Sequence, residues 1–406
     1  MTPYEARAAV ELAARASYGR LVAILAAPTG DLSLAEDALA DAFERALATW
    51  PDVGVPDNPE GWLLTVARNR LRDVWKSAAH RTSAPLDAAT DRGLDAASSP
   101  LDHLDPGAVP DRRLELLMVC AHPAIDAGIR TPLMLQTVLG FDAAQIAAAY
   151  AVTPGSMAQR LVRAKRRIKN IRIPFVIPDR HALSERLPAV LEAVYGCYAI
   201  AWPQAGDVDS LAAEARYLAV TLAALLGTEP EAWALAALVT LSLGRARPAY
   251  LPYLPLDEQD PATWDAGLIA EGEAYLRRAD GTATPKRFYL EAAIQAVHCD
   301  RARTGVTDWE ALHTLYTALV GVAPSLGARV AHAAVAGRLN GPGPGLALLD
   351  QIADGADGFQ PLHAARADLL TRAGRHDAAR AAYDRAIALA HDPRIRTYLQ
   401  SRRAAY

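Results

Sequence analysis

The chain of 406 residues is 51% hydrophobic and 22% charged, with a formal net charge of −4. This length exceeds what one compact core accommodates, so we expect several domains, and the richness in Ala, Leu and Arg favours helices. The weakly negative charge argues against a surface covered with basic residues for nucleic acid. Three widely spaced cysteines argue against a disulfide framework. No apolar stretch is as long as a membrane span and residues 1–30 lack a leader-peptide pattern, so we expect a soluble, cytoplasmic protein.

An acidic helix is predicted near the N-terminus. Its N-cap is Asp31 or Ser33, because both residue types accept hydrogen bonds from the first free N–H groups of a helix. The helix is expected to end before Pro51. Residues 31–60 include eight acidic side chains and one basic side chain. Charge sorted in this way indicates a separate surface for a separate partner.

A basic helix follows a proline-rich loop. Pro59 occupies its first position, where a missing N–H is tolerated, and apolar residues recur along it at helical spacing. Residues 66–82 include five basic side chains and one acidic side chain. The next segment, residues 80–110, is polar without periodicity, so we expect a flexible linker there.

Residues 141–169 have the spacing of a helix-turn-helix. The first helix needs a buried residue followed by a small one where the second helix crosses it, and the second helix needs a capped start and an apolar face. The residues that meet these needs are Ile146, Ala147, Thr153, Met157 and Leu161. Pro154 follows the cap at the first helical position. This arrangement can place the second helix in the major groove of DNA.

The second helix carries polar side chains on the side away from the core. Gln and Arg match the hydrogen-bonding groups of base edges, and further basic residues, including Lys169, match phosphates. Residues 153–172 include seven basic side chains and no acidic one. The predicted DNA-reading residues are Ser156, Gln159, Arg160, Arg163, Lys165, Arg166 and Arg167. The alternative is an ordinary amphipathic helix with a solvated basic face.

Residues 173–406 are predicted to be helical throughout, with a hint of an internal repeat. Tyr316 and Tyr383 stand in similar local patterns 67 residues apart, close to twice the 34-residue period of tetratricopeptide repeats. Residues 367–393 fit such a helix pair best, and stacked pairs bury a continuous core. Gly341–Gly345, with its alternating prolines, is interpreted as a linker.

No constellation of residues indicates an enzyme. The ten histidines and three cysteines do not occur at metal-ligand spacing, and the sequence has no glycine-rich phosphate loop. His298 and Cys299 are neighbours on a helix, where adjacent side chains point apart. We therefore expect no catalytic activity, no metal and no cofactor.

Motifs along the chain resemble those of one family. Residues 161–167, which read Leu-Val-Arg-Ala-Lys-Arg-Arg, follow the helix-turn-helix as in sigma region 4, and residues 35–43 and 61–69 are similar to sigma region 2. Further motifs occur in order at Val55–Pro59, His122–Ile125, Ile173–Phe175 and Ala364–Leu370. Together they resemble the extracytoplasmic-function (ECF) RNA polymerase sigma factors, in the subgroup with a long C-terminal tetratricopeptide-like extension. The resemblance covers essentially the whole chain.

The resemblance implies an all-α protein in several parts. These are a sigma region 2 domain at residues 1–79, the linker at 80–110, a region 4 helix-turn-helix domain at 111–172 and a tetratricopeptide-like domain at 173–406. It also implies that the protein binds core RNA polymerase and promoter DNA, and that the extension regulates this activity, alone or with a protein partner.

The resemblance further assigns roles to the two charged helices. In the family the acidic helix docks on core RNA polymerase, and the matching residues are Glu36, Asp37, Asp41 and Glu44. The basic helix reads the −10 promoter element as the duplex opens, and the matching residues are Arg68, Asn69, Arg70, Arg72 and Lys76. The helix-turn-helix is expected to read the −35 element as duplex DNA.

Two features depart from the family pattern. Residues 73–77 read Asp-Val-Trp-Lys-Ser where members often have Asp-Arg-Leu-Arg-Arg, so two basic side chains are missing, and residues 1–175 hold 20 basic and 20 acidic side chains. Two alternatives therefore stay open. One is a sigma-derived protein that no longer initiates transcription and serves as a scaffold or binds a small molecule. The other is a helix-turn-helix repressor or activator that binds duplex DNA without polymerase.

Overall fold

The computed structural model describes residues 3–82, 110–201, 208–248, 250–281, 284–352 and 355–405. Regular secondary structure in these ranges is helical, so the predicted all-α fold is confirmed. The chain divides into two compact units, Met1–Cys197 and Tyr198–Tyr406. Within the described ranges, no helix combines the length and apolarity needed to cross a bilayer. The domain boundaries expected from the sequence stay predictions.

The first unit is built from α1 to α8, and the division between the units falls within α8. Residues 83–109 of the predicted linker lie outside the described residues, and residues 80–82 end α3. The bounds are α1 Pro3–Ala26, α2 Leu32–Val53, α3 Pro59–Thr82, α4 Arg113–Cys120, α5 Ala127–Thr137, α6 Ala143–Ala149, α7 Pro154–Ile171 and α8 Arg180–Ala201.

α2 forms because a polar cap precedes apolar residues at helical spacing. The Asp31 carboxylate accepts a hydrogen bond from the backbone N–H of Leu34 at 3.2 Å, which satisfies one free N–H at the helix start. α2 continues through Pro51, so the predicted end before this proline is wrong. Pro51 removes one N–H close to the helix end, and the N–H of Gly54 still closes the last turn on the Trp50 carbonyl at 3.0 Å. The buried residues of α2 are Leu32, Ala35, Ala38, Leu39, Ala42, Ala46 and Trp50.

α3 begins at Pro59 as predicted. The Asn58 side chain accepts a hydrogen bond from the backbone N–H of Gly61 at 2.9 Å. Trp62 packs edge-on against Trp50 of α2 with ring centroids 5.5 Å apart, a favourable aromatic geometry. α1, α2 and α3 therefore pack as one three-helix bundle.

The second unit is built from α9 to α19, with short 3₁₀ turns in the segment between α10 and α11. The bounds are α9 Val208–Leu226, α10 Pro230–Leu243, α11 Ala266–Ala279, α12 Arg287–Cys299, α13 Arg301–Thr304, α14 Trp309–Val322, α15 Leu326–Leu339, α16 Pro342–Asp350, α17 Gln360–Arg372, α18 His376–Leu389 and α19 Pro393–Ala404.

α10 forms the centre of the first half of this unit. Residues 232–242 are all buried, and α9, α11 and α12 pack against the helix. Gly272 allows α11 to approach closely, because a Cβ at that position would lie 2.7 Å from Cγ of Leu241. A helix that is apolar all round is a core helix, and α10 fits that description.

In the second half of this unit, successive helices pack against one another. The helix pair predicted at residues 367–393 is present as α17 and α18, joined at Gly374, whose φ of 70° suits glycine. Its classification as a tetratricopeptide repeat stays a prediction. Gly341–Gly345 is not a linker: Pro342 opens α16, and Gly345 is buried within that helix.

Candidate nucleic-acid and polymerase interfaces

α6 and α7 are the two helices predicted from the spacing of residues 141–169. Asp142 and Gln145 form a capping box at the start of α6, with N–H donations of 2.7 Å to the Asp142 carboxylate and 3.0 Å to the Gln145 amide oxygen. The Thr153 hydroxyl accepts from the N–H of Ser156 at 3.3 Å and so caps α7. The residues predicted to anchor the pair are buried, namely Ile146, Ala147, Met157 and Leu161.

The side of α7 away from this anchor is polar and basic. Arg160 is half-buried and donates to the Gly128 carbonyl at 2.9 Å, and Arg163 donates to the Gln159 carbonyl at 3.3 Å. Arg160, Arg163 and Arg167 line one open depression of about 430 Å³ against the start of α5. The exposed members of the predicted set are Ser156, Gln159, Arg163, Arg166 and Arg167. This face offers clustered guanidinium groups, which suit phosphate and base edges.

Lys165 does not lie on this outward face. Its side chain is only 8% exposed, and its Nζ lies 2.5 Å from Oε2 of Glu36 on α2. Lys169, one turn further along α7, places its Nζ 2.7 Å from Oδ2 of Asp31. The sequence assigned Lys165 to DNA and Glu36 to polymerase, whereas the fold joins the two residues in one buried ion pair.

The rest of the predicted polymerase surface stays open to solvent. Asp37 and Glu44 are exposed on α2. Asp41 is half-buried, and its carboxylate accepts from Nε of Arg70 on α3 at 2.5 Å. The acidic cluster is therefore divided, with Glu36 covered by α7 and the other three residues facing outward or toward α3.

The predicted −10 residues lie along α3. Asn69 and Arg70 are exposed, whereas Arg68 and Arg72 are half-buried. Lys76 lies on the same helix, but its side chain is outside the described residues. Some of the basic side chains of α3 thus face outward, and others lie partly buried in the three-helix bundle.

Burial changes the acidity of two carboxyl groups in this unit. Burial raises the pKa of Glu36, and the nearby Lys165 ammonium only partly opposes that change. Burial also raises the pKa of Glu60, opposed by Arg20, whose guanidinium lies 2.9 Å away. Both groups therefore hold a proton more readily than exposed glutamates do.

Two features of this unit escaped the sequence reasoning. Asp31 is an ion-pair partner of Lys169 as well as a helix cap, and Gly19 of α1 lies so close to Val138 that a Cβ would be 1.9 Å from the Val138 carbonyl oxygen. A signal for the Lys165 contact was present, because Lys165 lies at helical spacing with Leu161 and Ile168, on the buried side of α7.

Comparison with known proteins finds two matching families in this chain. Residues 14–81 match the model of the family Sigma-70 region 2, and residues 186–280 match a family of unknown function, DUF6596. An uncharacterized protein of Rhizobium meliloti (strain 1021) is 35% identical over 378 residues, which cover 91% of this chain and 89% of that protein. No solved structure matches the chain.

A second relative carries a functional description. It is a probable ECF RNA polymerase sigma factor SigI of Mycobacterium tuberculosis (strain ATCC 25618 / H37Rv), 31% identical over 204 residues, which cover 50% of this chain and 65% of the relative. The chain belongs to the ECF RNA polymerase sigma factors, in the subgroup with a long C-terminal extension. The extension includes the residues that match DUF6596.

Proposed function

We propose that this protein binds core RNA polymerase and directs it to a subset of promoters in the cytoplasm. The observation that carries the proposal is α7, a capped helix anchored by Met157 and Leu161 that turns Ser156, Gln159 and Arg163 outward. A helix of this kind fits the major groove, where Arg and Gln form paired hydrogen bonds with guanine and adenine. In our proposal α7 reads the −35 element as duplex DNA.

The basic residues of α7 add affinity that does not depend on sequence. Arg166 and Arg167 are exposed and follow the base-reading positions along the helix. Each phosphate contact releases counterions, so the affinity falls steeply as salt rises. Residues 1–175 carry no net charge, and we therefore propose that polymerase supplies much of the binding energy at a promoter.

The −10 element is assigned to α3. Arg68, Asn69, Arg70 and Arg72 occupy the part of the chain that matches Sigma-70 region 2, and Lys76 follows them on the same helix. Basic and amide side chains hold the backbone and unpaired bases of an opening duplex. Residues 73–77 have two fewer basic side chains than the family pattern, and we therefore expect this contact to be weaker than in other members of the family.

The polymerase contact is assigned to α2. Asp37 and Glu44 are exposed, and Asp41 is half-buried beside them. An acidic helix surface recognises a basic one on its partner, mainly through faster and more selective association. The C-terminal extension has its own compact core, and we propose that it regulates the sigma domains, either directly or through a protein partner.

The test is transcription in vitro with the full chain, core polymerase and a library of genomic templates. The proposal predicts transcripts from a defined subset of promoters. Arg163→Ala is expected to reduce initiation about tenfold or more, since a lost base contact of 1–3 kcal/mol corresponds to that range. Asp37→Ala is expected to weaken capture of core polymerase and leave duplex binding unchanged.

The control is Arg303→Ala, which removes an exposed arginine of the second unit that pairs only locally with Asp300. It should leave initiation unchanged. Absence of any transcript with wild-type protein would refute the proposal and favour a sigma-derived protein with another role. Tight, specific duplex binding without polymerase would instead identify a simple repressor or activator.

A further inference from the structure

Two histidines of neighbouring helices lie side by side at the surface of the second unit. His313 belongs to α14 and His332 to α15, and their ring centroids are 5.1 Å apart with the ring planes at 46°. Both side chains are half-buried, so solvent and ions reach the pair. No metal site was expected from the sequence, because the two residues belong to different helices and no short spacing joins them.

The packing of α14 and α15 fixes the positions of the two rings. The two helices contact each other directly. Leu312, next to His313, is fully buried, and so is Ala333, next to His332. Binding groups carried by packed helices keep their geometry better than groups carried by loops.

One hydroxyl determines which nitrogen of His332 carries the hydrogen. Thr317 donates its only hydroxyl hydrogen to the backbone carbonyl of His313 at 2.7 Å. The same oxygen lies 3.2 Å from Nε2 of His332, and there it can therefore only accept a hydrogen bond. Nε2 of His332 thus carries the hydrogen, and Nδ1 keeps its lone pair.

This arrangement is the one that a metal-binding histidine needs. A ligating imidazole usually donates its other N–H to an oxygen, which fixes the tautomer and orients the ring. Burial lowers the pKa of His332, and the neighbouring His313 lowers it further, so protons compete weakly for the lone pair.

The distance between the rings also fits a shared metal ion. Zn–N bonds of about 2.0–2.1 Å in a tetrahedral site place two imidazole rings on one zinc about 5 Å apart, centre to centre. The observed separation of 5.1 Å agrees with that spacing.

We propose that His313 and His332 form a surface site for a divalent transition-metal ion such as zinc, bound through imidazole nitrogens. Imidazole suits zinc, copper and nickel, whereas calcium and magnesium prefer oxygen ligands. Within the described residues, no group of three or more His, Cys, Asp or Glu side chains could hold a metal ion. The site therefore supplies two protein ligands and leaves the other positions of the ion to water.

A bound ion joins α14 to α15 and stiffens this part of the second unit. Its water positions can exchange with a further ligand, as in zinc sites that keep an open position. The site is independent of the proposed role in transcription, because both ligands belong to the second unit.

The test is calorimetric titration of the untagged full chain with zinc chloride. The wild type should bind zinc at a site that His313→Ala or His332→Ala weakens at least about tenfold. His391→Ala removes an exposed histidine of the same unit and should leave the affinity unchanged. Circular dichroism checks each fold, and glutamine replaces alanine wherever an alanine variant fails to fold.

A second pair of variants distinguishes an oriented ligand from two histidines that meet by chance. Thr317→Val removes the oxygen that orients His332 and should weaken zinc binding about 10–100-fold, although it changes no ligand. Thr317→Ser keeps the hydroxyl and should bind zinc like the wild type.

Copper(II) reports the ligands directly. Electron paramagnetic resonance of the copper-loaded wild type should show coupling to two imidazole nitrogens, and each histidine variant should show coupling to one. A wild type that binds no zinc overturns the site. Equal zinc affinity in the wild type and both histidine variants also overturns it, since the zinc would then be an adventitious ion elsewhere. Equal affinity in Thr317→Val and the wild type overturns the orientation assigned to His332.

Discussion

The packing of the first unit is best tested by Gly19→Ala, because the packing decides whether this substitution stabilises or destabilises the fold. Gly19 lies inside α1, where alanine stabilises a free helix by about 1 kcal/mol relative to glycine. In the folded unit, however, the new Cβ would lie 1.9 Å from the Val138 carbonyl oxygen, and contacts below 3.0 Å essentially never occur. The backbone must therefore retreat by about 1.1 Å, which no rotamer change can supply. Overpacking of this kind costs up to about 3 kcal/mol.

The two effects leave a net destabilisation of about 2 kcal/mol. For a unit of this size, each kcal/mol lowers the midpoint of thermal unfolding by about 2–4 °C, so we expect a drop of about 4–8 °C by circular dichroism. Gly155→Ala in α7 is the matched control, because nothing lies within 4 Å of its added Cβ; its midpoint should stay the same or rise slightly. A midpoint that is raised in Gly19→Ala would refute the close approach of α1 to Val138.

Three further substitutions test other parts of the molecule. Thr153→Ala removes the hydroxyl that caps α7 and should cost about 1 kcal/mol in urea unfolding, whereas Thr153→Ser should retain most of it. Glu60→Gln tests the raised pKa of Glu60: the wild-type carboxyl contributes stability below its unfolded pKa and loses it as pH rises through the folded pKa. The unfolding free energy of wild type relative to Glu60→Gln should therefore fall as pH rises above 4.5, the ordinary pKa of a glutamate, and a rise over that range would contradict the burial of Glu60. Gly345→Ala should destabilise the second unit by about 1–3 kcal/mol, because its Cβ would lie 2.7 Å from the Ala333 carbonyl oxygen; Gly327→Ala, with open space around it, should be near neutral by the same thermal assay.

Local signals predicted the helices well. The starts of α2, α3 and α7 are marked by Asp31, Pro59 and Thr153. The side chain or ring of each acts on backbone within three residues, so the local sequence is enough to predict where these helices begin. The same locality explains the prediction of α6 and α7, where small and apolar residues recur at helical spacing. The roles assigned to the site residues stay predictions.

Signals that depend on tertiary contact were missed or misread. Pro51 lies in the last turn of α2, and the helix continues past it to Val53, with Gly54 as its C-cap. The glycines of α16 were interpreted as a linker, yet Gly345 is needed for a close approach to Ala333 and Gly337. Composition alone does not distinguish a glycine that bends a loop from one that admits a neighbouring helix.

One ion pair of the first unit cannot be predicted from any short stretch of the sequence. Lys165 and Glu36 are 129 positions apart, and each belongs to a charged stretch that reads as a solvated surface. Their meeting brings two of the oppositely charged stretches of residues 1–175 into contact within one unit. Surfaces of opposite sign within one chain are complementary to each other as well as to their partners.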